Sequence, residues 1–423
     1  MEKNYRFLKY AAFIAVFLLV LFQIISVFYF DGYELSCDQR SYINSAKSCI
    51  EHGQWYPYNT RISYAFAPGY VNLLILYYKI FGTFFGFSFV NILMNLVILF
   101  EIYIISKKFF SEKTALIAVI LFCITYSNWF VNIGFFSELP FVFCMMTAVT
   151  ICVCTNKLRW YFFAGLLLAV GNWIRPLALA FLAGIFVLIF LGKIFVVRKS
   201  LILLVSTLIA AIVIGLFSKN YCGLFVFQST TSGVNLAGSA NYKANGLVGF
   251  SYRTDPFYLE KLPSDYNQLD FVQKDKILRN IAFKWIFEHP VKYIATVPLK
   301  SMVLFGFDTW SERFQFKDGL SQIRDGKNKE NIVFYCVRLF LKSLVFYAII
   351  ALTIYYLWIN RYSLFSYKNA MLWIAVFVIG LTLPFMVTDR YHYPIMPILW
   401  IYSAQAISQF ISKKGVLPEK QSE

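Results

Sequence analysis

The side chains with which this sequence could do chemistry on a charged substrate are two acids, Asp38 and Glu138, four cations, Arg61, Arg175, Lys300 and Arg390, and the hydrogen-bonding Tyr42, Tyr391 and His392. A carboxylate can take a proton from an attacking hydroxyl. Guanidinium and ammonium groups can hold a phosphate as it gains charge. Tyr42 follows Asp38 by one helical turn, Arg175 precedes Pro176, and Arg390, Tyr391 and His392 sit in one short run between Asp389 and Pro394. They fall at the ends of apolar runs, and ionisable groups at membrane depth usually face a protein interior or a water-filled cavity. Each also has a plainer reading. Asp38 starts a helical stretch and Asp caps helices well; Glu138 would serve as a solvated loop acid; Arg175 would snorkel; Asp389 would neutralise Arg390; His392 would be a hydrogen-bonded structural residue.

The elements that must position these groups are membrane helices. Hydrophobic residues make up 59% of the 423 and charged ones 14%, with 46 Phe and 29 Tyr; a soluble chain carries about 25% charged residues. The apolar runs are long and do not alternate, and unpaired backbone groups are too costly in hydrocarbon for anything but helices or closed barrels. The net charge of +17 would suggest nucleic acid in a soluble protein. Here the basic residues fall in short loops between apolar runs, where they act as topology signals facing anionic lipid, so no nucleic-acid partner is expected.

Residues 8–30, preceded by Lys3, Arg6 and Lys9, read as an uncleaved first span entering from the cytoplasm. Ordering the remaining runs by the positive-inside rule places spans near 87–106, 114–131, 140–155, 160–174, 177–192, 200–218, 339–359, 370–388 and 394–411. Interfacial helices are expected at 69–81 and 291–306. The chain then divides into the N-terminal end and first span (1–30), a first extracytoplasmic loop (31–86), spans two to seven (87–218), an extracytoplasmic region (219–338), and the C-terminal spans and cytoplasmic tail (339–423). The basic content of 291–331 also fits a cytoplasmic loop. Residues 228–250, rich in Ser, Thr, Asn and Gly, would form either an ordered lid or a plain connection. Of eight cysteines most lie in apolar runs, and Cys37 and Cys49 share an outer loop where they could pair. Trp55 and Trp310 are candidate sugar platforms.

Several short motifs occur in a telling order. They are Asp38-Gln39-Arg40-Ser41-Tyr42 with Ala46, Gly53 and Trp55; Ala67-Pro68-Gly69-Tyr70 with Phe81-Gly82; Ser137-Glu138-Leu139-Pro140; and Trp173-Ile174-Arg175-Pro176. Ser232-Gly233-Val234-Asn235-Leu236, Glu288-His289-Pro290 with Lys300, and Arg390-Tyr391 with Pro394 and Pro397 complete the series. Across nearly the whole chain the set resembles bacterial members of the GT-C membrane glycosyltransferases, in particular the dolichyl-phosphate-mannose–protein mannosyltransferases and the lipid A aminoarabinose transferases. The resemblance implies an all-α polytopic bundle of about ten transmembrane helices in the inner (cytoplasmic) membrane, with its active site on the periplasmic or outer side. Two departures bear on specificity: Gln39 stands where the family often has a second acid, and Ala67 where the aminoarabinose transferases have Lys. The large extra domains of the eukaryotic mannosyltransferases are missing, consistent with a bacterial enzyme.

What the resemblance implies for chemistry is an inverting transfer of sugar from a polyprenyl phosphate to an acceptor hydroxyl on a glycolipid, glycan or protein. Asp38 would be the base and Glu138 its catalytic companion, with Arg61, Arg175, Lys300, Arg390, Tyr42, Tyr391 and His392 binding substrate. No cofactor is expected beyond the lipid-linked co-substrate. The three histidines are scattered and the Asp-x-Asp arrangement of metal-using oligosaccharyl relatives is absent, so metal-independent activity is the expectation. The alternatives are an undecaprenyl-diphosphate glycan polymerase or ligase, a lipid-linked sugar transporter or flippase, and a membrane scaffold without activity.

Overall fold

The computed structural model describes residues 2–29, 37–56, 66–245, 249–315 and 332–414. Their regular structure is helical throughout. The helices are α1 (Glu2–Tyr29), α2 (Cys37–Glu51), α3 (Pro68–Phe81), α4 (Phe87–Phe109), α5 (Glu112–Ile124), α6 (Ser127–Phe130), α7 (Glu138–Cys154), α8 (Leu158–Ile174), α9 (Ala178–Gly192) and α10 (Val196–Cys222). After them come α11 (Ser232–Ser239), α12 (Pro256–Leu259), α13 (Phe271–Glu288), α14 (Pro290–Ile294), α15 (Val297–Leu304), α16 (Trp310–Gln315), α17 (Ile332–Lys342), α18 (Leu344–Ile359), α19 (Ala370–Thr382) and α20 (Met396–Lys414). A tight 3₁₀ segment, Asp389–Ile395, leads into α20.

The packing is apolar both inside the bundle and on its outer surface. Leu139, Phe141, Val142, Met145, Met146, Ala148 and Val149 make α7 buried nearly all round. It packs between α8 and α4, and α5 joins α4 to α1 and α20. Large apolar side chains also cover the outside: Phe7, Phe13, Phe17 and Phe28 on α1, and Leu208, Ile212, Val213 and Leu216 on α10, are all exposed. An all-helical bundle that is apolar inside and also exposes Phe, Leu and Ile along its outer helices is built for lipid. This is an integral membrane protein.

Helix length and composition among the described residues support fewer full spans than ten. Among the described residues three helices, Tyr5–Tyr29, Phe87–Phe109 and Val196–Cys222, are long and apolar enough to cross a bilayer, and α17 with α18, bent by 52°, would make a fourth. The helices Glu138–Cys154, Leu158–Ile174 and Ala178–Gly192 are apolar but shorter; 17 residues rise about 26 Å. The runs are cut where polar loops enter the bundle. The run expected as 114–131 breaks after Ile124, where Thr125 Oγ1 donates to the Leu121 carbonyl at 2.6 Å. The run expected from 370 to 388 stops as helix at Thr382. Irregular backbone of this kind survives in a membrane protein where protein surrounds it.

The polar stretch after α10 folds into a small module. Its core joins Val234, Leu236, Ala237, Tyr258, Leu278 and Trp285, with α11 packed on α13. Asp275 of α13 accepts from the Ser232 hydroxyl at 2.9 Å and the Gly233 N–H at 2.5 Å, capping α11 from outside its own sequence. So the 228–250 stretch contains an ordered helix. The next segment is tied to the same end of the bundle: Lys300 of α15 donates to the carbonyls of Leu383 and Pro384 at 3.0 and 3.4 Å.

Candidate functional site

The two halves of the site arise at helix ends that suit their charges. Glu138 is the first residue of α7 and Arg175 caps the C-terminus of α8. A carboxylate at a helix N-terminus and a cation at a C-terminus both complement the helix dipole. Because α7 and α8 pack antiparallel, these ends meet, and Arg175 Nη1 lies 2.6 Å from Glu138 Oε1. Gly69 makes room for this corner: a Cβ there would sit 2.7 Å from the Trp173 backbone. The α3 approach is fixed further by Trp173 Nε1 donating to Tyr56 Oη at 2.8 Å and by Asn72 bonding the Trp55 carbonyl at 3.0 Å.

Two more segments complete a cluster. Asp38, in the first turn of α2, pairs with Arg390 of the 3₁₀ segment, and Arg390 Nε lies 3.3 Å from Glu138 Oε1. The chain thus brings two carboxylates and two guanidiniums from four separate segments to one end of the bundle. Ser137 is the hub beneath them, bonding Tyr42 Oη at 3.2 Å and receiving Arg175 Nη1 at 3.3 Å. Tyr391 lays its ring against both guanidiniums, 5.1 Å from Arg175 and 5.6 Å from Arg390. Glu138 is fully buried, whereas the Asp38 side chain is 28% exposed, so Asp38 is the open acid of the pair.

Burial works against the charge on Arg390, and the carboxylates of Asp38 and Glu138 more than offset it, so the guanidinium stays protonated. Burial, reinforced by the same two negative charges, raises the Tyr42 phenol. Tyr42 is therefore a hydrogen-bonding group here and not a base. Asp389 accepts the Arg390 backbone N–H at 3.0 Å, while the guanidinium reaches the other two acids. Gln39 is buried, with its amide oxygen accepting the Phe135 N–H at 2.9 Å, so it ties α2 to the loop before α7.

Not every candidate joins the cluster. Arg61 lies outside the described residues, as does the Cys37 side chain. Lys300 is fully buried, held by Ser239 Oγ at 2.5 Å and by the two carbonyls above. It sits between α11, α15 and the end of α19, apart from the guanidiniums. His392 is also fully buried and faces away from Arg390: its Nδ1 lies 2.9 Å from the Leu304 carbonyl and its Nε2 3.1 Å from Asp308 Oδ1. Trp310 is wholly buried against Phe136 and Tyr393, which removes it as a sugar platform. Lys79 sits 4.2 Å over the Trp55 ring. The partners that sequence reasoning missed are Ser137 and Asp308. Ser137 adjoins Glu138 in a quoted motif, while Asp308 follows a short helix with no signal around it.

Arg390 occupies the place between Asp38 and Glu138 where a bridging ion would sit, and among the described residues no group of three or more His, Cys, Asp or Glu could hold one.

No family model and no curated protein matches the chain. Solved structures do. The archaeal oligosaccharyltransferase AglB from Archaeoglobus fulgidus, in complex with an inhibitory peptide and a dolichol-phosphate, superposes with a TM-score of 0.50 at 14% identity over 98% of this chain and 53% of that one. The apo form of the Archaeoglobus fulgidus oligosaccharyltransferase gives 0.51 at 17% identity, over 96% of this chain and 50% of that one. ArnT from Cupriavidus metallidurans, bound to undecaprenyl phosphate, is a looser match at 0.41 and 11% identity, over 96% of this chain and 81% of that one. The chain spans about half the length of the oligosaccharyltransferases, and the likeness is one of architecture. What the likeness shows is the fold: the chain shares the helical architecture of the archaeal oligosaccharyltransferases.

Proposed function

We propose that this protein transfers a sugar from a polyprenyl-phosphate carrier to a hydroxyl on a glycolipid, glycan or protein at the outer face of the cytoplasmic membrane. The observation that carries the reading is the four-charge cluster of Asp38, Glu138, Arg175 and Arg390 at one end of a lipid-facing bundle. The GT-C fold supports it, as do the dolichol-phosphate and peptide bound by the archaeal oligosaccharyltransferase.

The charges balance through such a reaction. Two acids and two guanidiniums leave the resting cluster neutral. The acceptor oxygen attacks the anomeric carbon, the C–O bond to phosphate breaks, and the phosphate keeps that electron pair and gains one negative charge. The hydroxyl proton passes to Asp38, the accessible carboxylate, so the cluster becomes positive by one as the phosphate becomes more negative. Fixed guanidiniums aimed where charge develops are worth most in a site that excludes water. Glu138, pinned by both arginines, orients them, and Tyr391 and Tyr42 pack the rim and floor. Attack opposite the leaving phosphate inverts the anomeric centre. No step needs a metal.

The test is transfer by the purified protein from a panel of synthetic polyprenyl-phosphate sugars, with and without chelator. Asp38→Asn should lower the rate about 10²–10⁴-fold, the usual contribution of a positioned proton acceptor, with chelation harmless. Full activity in Asp38→Asn would favour the diphosphate polymerase or ligase alternative, and movement of donor across proteoliposomes without product would favour a flippase.

A further inference from the structure

The 3₁₀ segment that carries Arg390 also enters a second polar network, whose contacts converge on one acid. Asp308 is fully buried between α15 and α16. One of its oxygens lies 3.1 Å from His392 Nε2. The other accepts the Ser127 N–H at 3.1 Å, and the Asp308 N–H donates to Ser343 Oγ at 3.0 Å. Ser311 adds a bond to the Ser127 carbonyl at 3.0 Å. His392 is held on its other side by the Leu304 carbonyl and stacks on Phe346 with ring centroids 4.4 Å apart. The residue after it, Tyr393, donates to Asn128 Oδ1 at 3.1 Å and packs against Trp310.

A buried acid engaged by three remote segments is costly to assemble, and such networks specify one arrangement when every member is satisfied. Here the arrangement it specifies is the 3₁₀ segment Asp389–Ile395, a short element with few hydrogen bonds of its own. Arg390 and His392 leave that segment for different partners, one to the acids of the cluster, the other to Asp308. We infer that the Asp308–His392 pair is a positioning device that sets the reach of Arg390 toward Asp38 and Glu138, and through it the grip on the donor phosphate. The second clause rests on the function proposed above; the first does not.

The test separates them. Wild type, Asp308→Asn and His392→Gln are purified in detergent and treated with phenylglyoxal, and modification at Arg390 and Arg175 is followed by peptide mass. Both arginines should be protected in wild type. In each variant Arg390 should react about tenfold faster, the scale of losing one hydrogen bond to a charged group, with Arg175 unchanged and the protein still monodisperse. Arg390 as protected as in wild type would overturn the inference, and so would equal deprotection of Arg175, which reports general loosening. Should Asp308→Asn fail to fold, His392→Gln, which keeps a donor for the Leu304 carbonyl, reads the same quantity. In transfer assays the variants should raise the KM for the lipid-linked donor about tenfold and leave the acceptor KM within twofold. A change in acceptor KM alone would overturn the link to the phosphate. Absence of transfer by wild type from every donor would count against the proposed function, while the labelling result would still decide the role of the pair.

Discussion

Arg390 and Lys300 are both buried cations at the site end of the bundle, yet the protein keeps them in different ways. Arg390 has two carboxylates within reach, and its planar fork can serve both at once. Lys300 has the Ser239 hydroxyl, two backbone carbonyls and the Tyr293 ring at 4.8 Å, dipoles and a π face in place of charges. The consequence is electrostatic. The guanidinium stays charged despite burial, whereas burial pushes the Lys300 ammonium down to about 8. One cation is fitted to meet an anion and the other to clamp segments together, joining α11 and α15 to the end of α19.

Exchanging the head group at the first site should have the largest effect. Arg390→Lys retains the charge but cannot span Asp38 and Glu138 together, so either the open Asp38 loses its partner or Glu138 is left with Arg175 alone. Losing one hydrogen bond between charged groups costs about 1.5–3 kcal/mol, so transfer should fall about 10–10²-fold; near wild-type kinetics would mean that the fork geometry is irrelevant. The second site should show itself in stability and not in the chemical step. Folded Lys300 gives up its proton near pH 8, well before the unfolded chain does at about 10.4. Between those values the unfolded state binds more protons, so stability should rise with pH. The rise is at most about 3 kcal/mol, read as a melting temperature in detergent that climbs from pH 7 to pH 10. Lys300→Met should abolish this climb, and an identical pH profile in that variant would remove Lys300 as its source. The smallest effect is expected beneath the cluster. Ser137→Ala deletes the shared partner of Tyr42 and Arg175, worth about 1 kcal/mol, hence roughly a fivefold loss of transfer with no change in expression. A loss as large as that of Arg390→Lys would give Ser137 a direct part in the reaction.

Much of the site was legible before any tertiary structure. Asp38, Glu138, Arg175 and Arg390 each stand at the end of an apolar run, and the ends of membrane helices are where ionisable groups can be kept. Their meeting was not legible, because it depends on α7 and α8 being antiparallel neighbours and on Gly69 letting α3 close against Trp173. His392 illustrates the opposite limit. Two residues from Arg390 it shares every sequence feature of a site residue, yet on a tight 3₁₀ turn two positions are enough to face the other way. The lengths of the helices were not legible for a related reason: hydropathy does not register a helix stopping at Ile124 or Thr382.

What the sequence by itself determined is the solvent and the periodicity: apolar runs that must be helices because hydrocarbon offers their backbone no other partners, and charges confined to the run ends. What only the tertiary structure decided is which of those charges meet. Pairing Asp38 with Arg390 joins residues 352 positions apart, and no local preference acts over that distance. The choice follows from helix packing and from the cost of leaving any of these groups buried alone.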